Sequence, residues 1–171
     1  MRRVFGDPET SHHESVASAE LDRSYAESPI VAGSSSAEGL AGRLLPDTAP
    51  VDYPGQASAP LHRFAHRAGH TVIVLGGPDA DPAAVAGLVA RLEAAHADSP
   101  LVDAILGFSV RPGADDAGRI DDEVAELLGV DGVTVLVIRP DRYVGLRHDG
   151  ADAEPVARYL DALTGLRAEH T

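Results

Sequence analysis

The chain has 171 residues, a formal net charge of −13, no cysteine, no tryptophan and only 4% aromatic residues. Such an acidic surface repels phosphate backbones and anionic lipid, which argues against nucleic-acid and membrane-surface partners. The lack of cysteine excludes a disulfide, a thiolate nucleophile and a cysteine metal site within this chain, and it fits a cytoplasmic location.

Residues 1–24 are polar and aperiodic, with His12-His13-Glu14 and scattered serines, and read as a tail. Two arginines follow Met1, but no apolar stretch stands behind them, so the start does not read as a secretory signal. No apolar run approaches the roughly 20 residues needed to span a bilayer. Residues 25–59 are rich in glycine, proline and serine and read as an extended, irregular segment lying on a surface, the chain's own or a partner's. The domain proper is expected over residues 60–171.

Within it, Leu61 to Ala68 reads as a short helix and Thr71–Leu75 as a buried, β-branched strand. Gly76-Gly77-Pro78 breaks the strand. Asp81 is placed to cap a helix whose first residue is Pro82 and whose inner stripe is Val85, Leu88, Val89 and Leu92. A second strand runs from Val102 to Val110. A short helix then spans Asp121 to Leu128, with Gly129 as its C-cap. Val133–Arg139 and Tyr143–His148 read as paired strands around Pro140-Asp141-Arg142. The last helix begins at Asp152 or Ala153 and ends at Leu166, with Val156, Tyr159, Leu160 and Leu163 inward.

Two clusters carry candidate chemistry. His62, His66 and His70 stand at i, i+4 and i+8, and on a continuous helix their imidazoles would share a side suited to zinc, nickel or copper. Gly69 is expected to end the helix before His70 and no nearby acid completes a ligand set, so a solvated surface is the expectation and a metal site the alternative. Strand alternation puts Tyr143 and Arg147 on one face, with Arg139 in the neighbouring strand. That group could grip a carboxylate or a phenol, or simply pack across the hairpin. Asp115, Asp116, Asp121 and Asp122 are spaced as a loop and a helix start rather than as paired catalytic carboxylates.

From residue 71 the order is β-α-β-α-β-β-α. The first strands are joined by a helical crossover and should be parallel, and the last two form a hairpin. This is the thioredoxin-like α/β pattern, a central four-stranded mixed sheet flanked by helices. A redox member carries its cysteine pair where this chain has Gly76-Gly77-Pro78-Asp79-Ala80-Asp81-Pro82, so there is no CxxC. Gly132 and Val133 stand where a cis-proline precedes the hairpin. Thiol–disulfide exchange needs a thiolate and is therefore excluded.

Three stretches resemble the C-terminal thioredoxin-like domain of the FAD-dependent aromatic (phenol and polyketide) hydroxylases. Ser24-Tyr25-Ala26-Glu27-Ser28-Pro29-Ile30-Val31 is similar to the junction after that family's flavin domain. Gly42-Arg43-Leu44-Leu45-Pro46-Asp47, with Leu61-His62 behind it, is similar to the family's Gly-x-Arg-x-Pro-Asp segment. Val137-Ile138-Arg139-Pro140-Asp141-Arg142-Tyr143-Val144-Gly145-Leu146-Arg147 resembles its Val-Arg-Pro-Asp-Gly-Tyr-Val hairpin. Arg142 replaces the glycine usual there, and because positive φ disfavours arginine a different turn is expected. The FAD-binding domain has no counterpart in the chain, and Gly76-Gly77 lacks a dinucleotide fingerprint, so no cofactor is expected.

The resemblance implies a freestanding, non-redox module, accessory to aromatic metabolism, whose partner is a flavin monooxygenase or a second copy of itself. The alternative is a cofactor-independent tailoring enzyme, a cyclase or isomerase on an aromatic polyketide, built on His62, His66, Tyr143 or Arg147. A remnant of a longer monooxygenase gene is the third reading.

Overall fold

The computed structural model describes residues 32–33, 40–113 and 117–168. The tail over 1–24, the stretch Ser24–Val31, Asp115 and Asp116 lie outside them.

The elements run β1 (Ala32–Gly33), β2 (Pro50–Val51), β3 (Ala59–Pro60), α1 (Leu61–Phe64), β4 (His70–Gly76), α2 (Pro82–His96) and β5 (Val102–Ser109). They continue with β6 (Gly118–Arg119), α3 (Asp122–Leu128), β7 (Val133–Ile138), β8 (Val144–Asp149) and α4 (Glu154–Ala168). One sheet has the order β1-β8-β7-β4-β5-β6, and β2 and β3 form a separate antiparallel pair. The centre, β8-β7-β4-β5, is the expected mixed sheet: β4 is parallel to β5 and antiparallel to β7, and β7 and β8 are the antiparallel hairpin. This is a thioredoxin-like α/β fold.

Two short strands extend this four-stranded centre at its edges. Ala32–Gly33 adds in parallel beside Leu146–Arg147, and Gly118–Arg119 in parallel beside Phe108–Ser109. Each added strand is two residues long. So short a piece has no alternation for a sequence to display.

β4 is buried along nearly its whole length because both of its faces are covered. Ile73 and Leu75 point into one core with Leu45, Val51, Leu61, Phe64, Phe108, Val124, Leu128, Leu136 and Ile138. Val72 and Val74 point into the other with Val85, Leu88, Leu92, Val135, Val137, Val156, Tyr159 and Leu160. The first core is roofed by α1, α3 and the irregular chain before α1; the second by α2 and α4. The stretch 40–59, read as a surface segment, therefore sends Leu45 and Val51 into the chain's own interior.

Helix α1 stops at Phe64, four residues short of the expected end. Arg67 Nε donates to the Phe64 carbonyl at 3.2 Å, and the Gly69 N–H donates to the Asp103 carboxylate at 2.6 Å, so side-chain bonds take the chain straight into β4. Helix α2 starts as read: the Asp81 carboxylate accepts the Ala83 N–H at 2.9 Å and Pro82 is the first residue. Helix α3 ends as read on Gly129, with φ 63° and its N–H directed at the Ala125 and Glu126 carbonyls.

Candidate functional site

Two loops meet where a redox thioredoxin would carry its sulfur. Gly77 N–H donates to the Gly132 carbonyl and Asp79 N–H to the Asp131 carbonyl, both at 2.9 Å. A Cβ on Gly77 would sit 2.3 Å from the Val130 and Asp131 carbonyl oxygens, so only glycine lets these backbones approach so closely. The rim above is acidic: Asp79, Asp81 and Asp131 are exposed. With no thiol anywhere in the chain, this end of the fold presents backbone and carboxylates instead of a nucleophile. Among the described residues no peptide bond is cis, which leaves the segment before β7 without the proline geometry of redox members.

The hairpin holds an arginine in the left-handed region that disfavours it. Arg142 adopts φ 70°, its N–H donates to the Arg139 carbonyl at 2.9 Å, and the Arg139 N–H donates back to the Tyr143 carbonyl at 2.9 Å. The expected change of turn is thus not found; the arginine takes up the strain. Asp141 helps hold the turn, its carboxylate accepting the Tyr143 N–H at 3.2 Å and pairing with the Arg139 guanidinium at 2.5 Å.

A bulge then overturns the shared face expected of Tyr143 and Arg147. Val137 pairs with Leu146 but Ile138 pairs with Val144, which leaves Gly145 as the extra residue and reverses the alternation across it. Tyr143 stays beside Arg139, whose guanidinium lies 6.0 Å from the ring centroid. Arg147 turns to the opposite face, 2% exposed, beneath α3. Its Nη1 donates to the Leu128 carbonyl and its Nη2 to the Gly129 carbonyl, each at 2.6 Å, and its Nε donates to Asp149 Oδ1 at 3.2 Å. Asp149 is held in turn by the Thr134 hydroxyl at 2.8 Å. This arginine closes the negative end of a helix from inside the protein; its donors are committed to the fold.

Gly145 makes room for a second buried group. A Cβ there would fall 2.0 Å from the Tyr159 hydroxyl oxygen. Burial pushes the Tyr159 phenol up to about 12, against a lowering from the Arg139 guanidinium and with a further rise from Asp141.

The histidines are not gathered. His62 lies on α1 with Nδ1 3.1 Å from Asp47 Oδ1; His66 is exposed beyond the helix end; His70 lies on β4, near Tyr159 with its Nδ1 3.2 Å from the Leu101 carbonyl oxygen. The early stop of α1 removes the shared helical side, and among the described residues no group of three His, Asp or Glu is placed to hold a metal ion. None of His62, His66, Tyr143 or Arg147 lines either of two hollows found among the described residues. One, of about 450 Å³, lies between Asp47, Ala49 and the outer side of α3. The other, of about 270 Å³, lies between α2 and β5 around Val89 and Gly107.

The sequence reading passed over Leu127. It is a large apolar side chain left 54% exposed, and it lines the first hollow. The signal was available: Val124 and Leu128 fix the inner stripe of α3, and Leu127 falls off it.

No protein-family model matches the sequence, and no curated protein matches it. Solved structures do. Over 76% of this chain and 99% of the other it is similar to the reduced 2-Cys peroxiredoxin of Plasmodium vivax, at 16% identity and a TM-score of 0.53. The mitochondrial 2-Cys peroxiredoxin of Plasmodium falciparum gives 10% identity and a TM-score of 0.52 over 75% of this chain and 96% of that one. Aklavinone-11 hydroxylase, in complex with FAD and aklavinone, is similar at 24% identity and a TM-score of 0.49 over 70% of this chain; the match spans 20% of the hydroxylase. The two peroxiredoxin likenesses place the chain in the thioredoxin fold class.

Proposed function

We propose that this chain is a non-catalytic, thioredoxin-fold interaction module that docks to a flavin-dependent aromatic monooxygenase. The observation that carries the reading is the loop Gly76–Pro82. It keeps the position of a redox site, contains no sulfur, and is bonded down onto Asp131 and Gly132 by its own backbone. The hairpin Val137–Val144 and the Gly42–Asp47 segment supply the link to the aromatic hydroxylases, through their sequence resemblance to that family's C-terminal domain. A fold that has lost its chemistry and kept its packing is retained for its surface.

The test uses the full chain with a flavin-dependent aromatic hydroxylase from the same genome, by size-exclusion chromatography with light scattering. Co-elution at fixed stoichiometry is the expected result. A protein that associates with no such hydroxylase, and by itself converts an aromatic polyketide, overturns the proposal.

A further inference from the structure

Helix α3 has an inner side of Val124, Ala125 and Leu128 and an outer side where Glu123, Glu126 and Leu127 are exposed. Among the described residues Leu127 is the large hydrophobic side chain that stands exposed, at 54%, and it sits at the centre of that acidic side. Leu127 does not stand on a flat surface. With Val124 and Ala49 it lines a hollow of about 450 Å³ whose remaining walls are Asp47, Glu123 and Glu126.

The backbone of both walls is tied into the fold. On one side the Thr48 hydroxyl accepts the Leu61 N–H at 2.9 Å and His62 holds Asp47 at 3.1 Å. On the other, Arg147 grips the carbonyls of Leu128, next to Leu127, and of Gly129 after it. An open hollow with an apolar centre and a charged rim has the layout common to protein–protein contact patches. The rim also selects its occupant. Asp47, Glu123 and Glu126 are all carboxylates and repel an acidic segment, whereas arginine or lysine beside an apolar side chain matches both parts.

We propose that this hollow receives a segment of the partner protein that presents one apolar anchor flanked by arginine or lysine, with the anchor against Leu127 and the cations on Asp47, Glu123 and Glu126. The proposal rests on the reading of the chain as an interaction module and adds the surface and the chemistry of its partner.

The test is fluorescence anisotropy of the full chain with three labelled synthetic peptides of about twelve residues, long enough to cross one helix face. One carries a single leucine between paired arginines in a glycine-serine background, one has serine for that leucine, and one has glutamate for the arginines. The first peptide is expected to bind, with affinity falling at least about tenfold from about 50 mM to about 500 mM salt. The other two are expected to bind at least about tenfold more weakly. Leu127→Ser is expected to weaken the first peptide about tenfold, and Glu123→Gln with Glu126→Gln to flatten the salt dependence. All three positions are exposed, so unchanged melting curves establish that the variants fold.

Equal binding to wild type and variants, or no binding of the first peptide, overturns the proposal. So does binding that appears only after Arg2→Ser and Arg3→Ser, because the occupant is then the chain's own start. Peptide binding without any hydroxylase co-elution keeps the hollow and removes the hydroxylase as partner; co-elution that survives Leu127→Ser does the reverse.

Discussion

Replacing Arg147 should cost more stability than replacing any other charged residue in the described chain. The side chain is 2% exposed and spends its nitrogens on the Leu128 carbonyl, the Gly129 carbonyl and Asp149. Hydrogen bonds to a charged group contribute about 1.5–3 kcal/mol each, and a buried carbonyl left without a donor costs about 1–3 kcal/mol. Gly129 and Val130 N–H groups already serve the Ala125 and Glu126 carbonyls, so no backbone donor of the α3 cap is left over for Leu128. Arg147→Ala is therefore expected to lose about 3–5 kcal/mol, from the lost charged bonds to the two carbonyls and the acceptors left without a donor. A domain of this size holds about 5–15 kcal/mol in total. Arg147→Met separates packing from bonding: it keeps most of the aliphatic volume and should still lose at least about 2 kcal/mol. Arg147→Lys keeps the charge but not the planar fork and should fall between wild type and Met.

The assay is urea unfolding followed by far-ultraviolet circular dichroism, since the chain has no tryptophan. Hydrogen exchange of α3 amides supplies the local readout. An Arg147→Met protein within about 0.5 kcal/mol of wild type, with unchanged α3 protection, would refute the assignment of this arginine as the closure of the helix; that margin is the size of an ordinary surface substitution.

Arg142→Gly should stabilise by up to about 1 kcal/mol, because relief of the φ 70° backbone exceeds the added freedom of glycine in the unfolded chain; thermal melts read the gain. Gly77→Ala should lose about 2 kcal/mol or more, since its Cβ meets the Val130 and Asp131 carbonyls at 2.3 Å and backbone must shift; urea midpoints test it. Gly145→Ala should be destabilising through its clash with the Tyr159 hydroxyl, and Tyr159→Phe should return part of the loss, a coupling of about 1 kcal/mol in a double-mutant cycle. With its phenol raised from 10.0 to about 12, Tyr159 stays protonated in the folded chain while the unfolded chain ionises. Its contribution is thus full below pH 10 and is lost as pH rises towards 12, and Tyr159→Phe should flatten the decline of stability across that window; denaturation at stepped alkaline pH measures it.

The elements with strong local signals were legible. β4 is a run of β-branched residues buried on both faces, α2 opens on Asp81-Pro82, and α3 closes on Gly129. What failed did so where one residue of register decides the outcome. The alternation from Tyr143 to Arg147 is correct for a regular strand, and a single bulge at Gly145 reverses it. The helix read from Leu61 to Ala68 stops at Phe64, whose carbonyl Arg67 takes three residues on, while Asp103 of β5 takes the Gly69 N–H from far along the chain. Tertiary bonds of that kind leave no mark on local composition.

The segment joining α3 to β7 shows how the sulfur-free end of the fold and the proposed docking hollow depend on each other. Arg147 holds the Leu128 and Gly129 carbonyls from below; Asp79 and Gly77 hold the Asp131 and Gly132 carbonyls from the side. Between those grips, the Val130 carbonyl packs against Gly77 so closely that no side chain fits. The loop that would carry a cysteine pair therefore serves as a brace for residues 128–132, and Leu127 stands at the end of the braced run. Weakening either grip should loosen the same segment, so Gly77→Ala and Arg147→Met together should lose less than the sum of their separate effects. Full additivity in urea unfolding would show two independent anchors and break the link between the brace and the hollow.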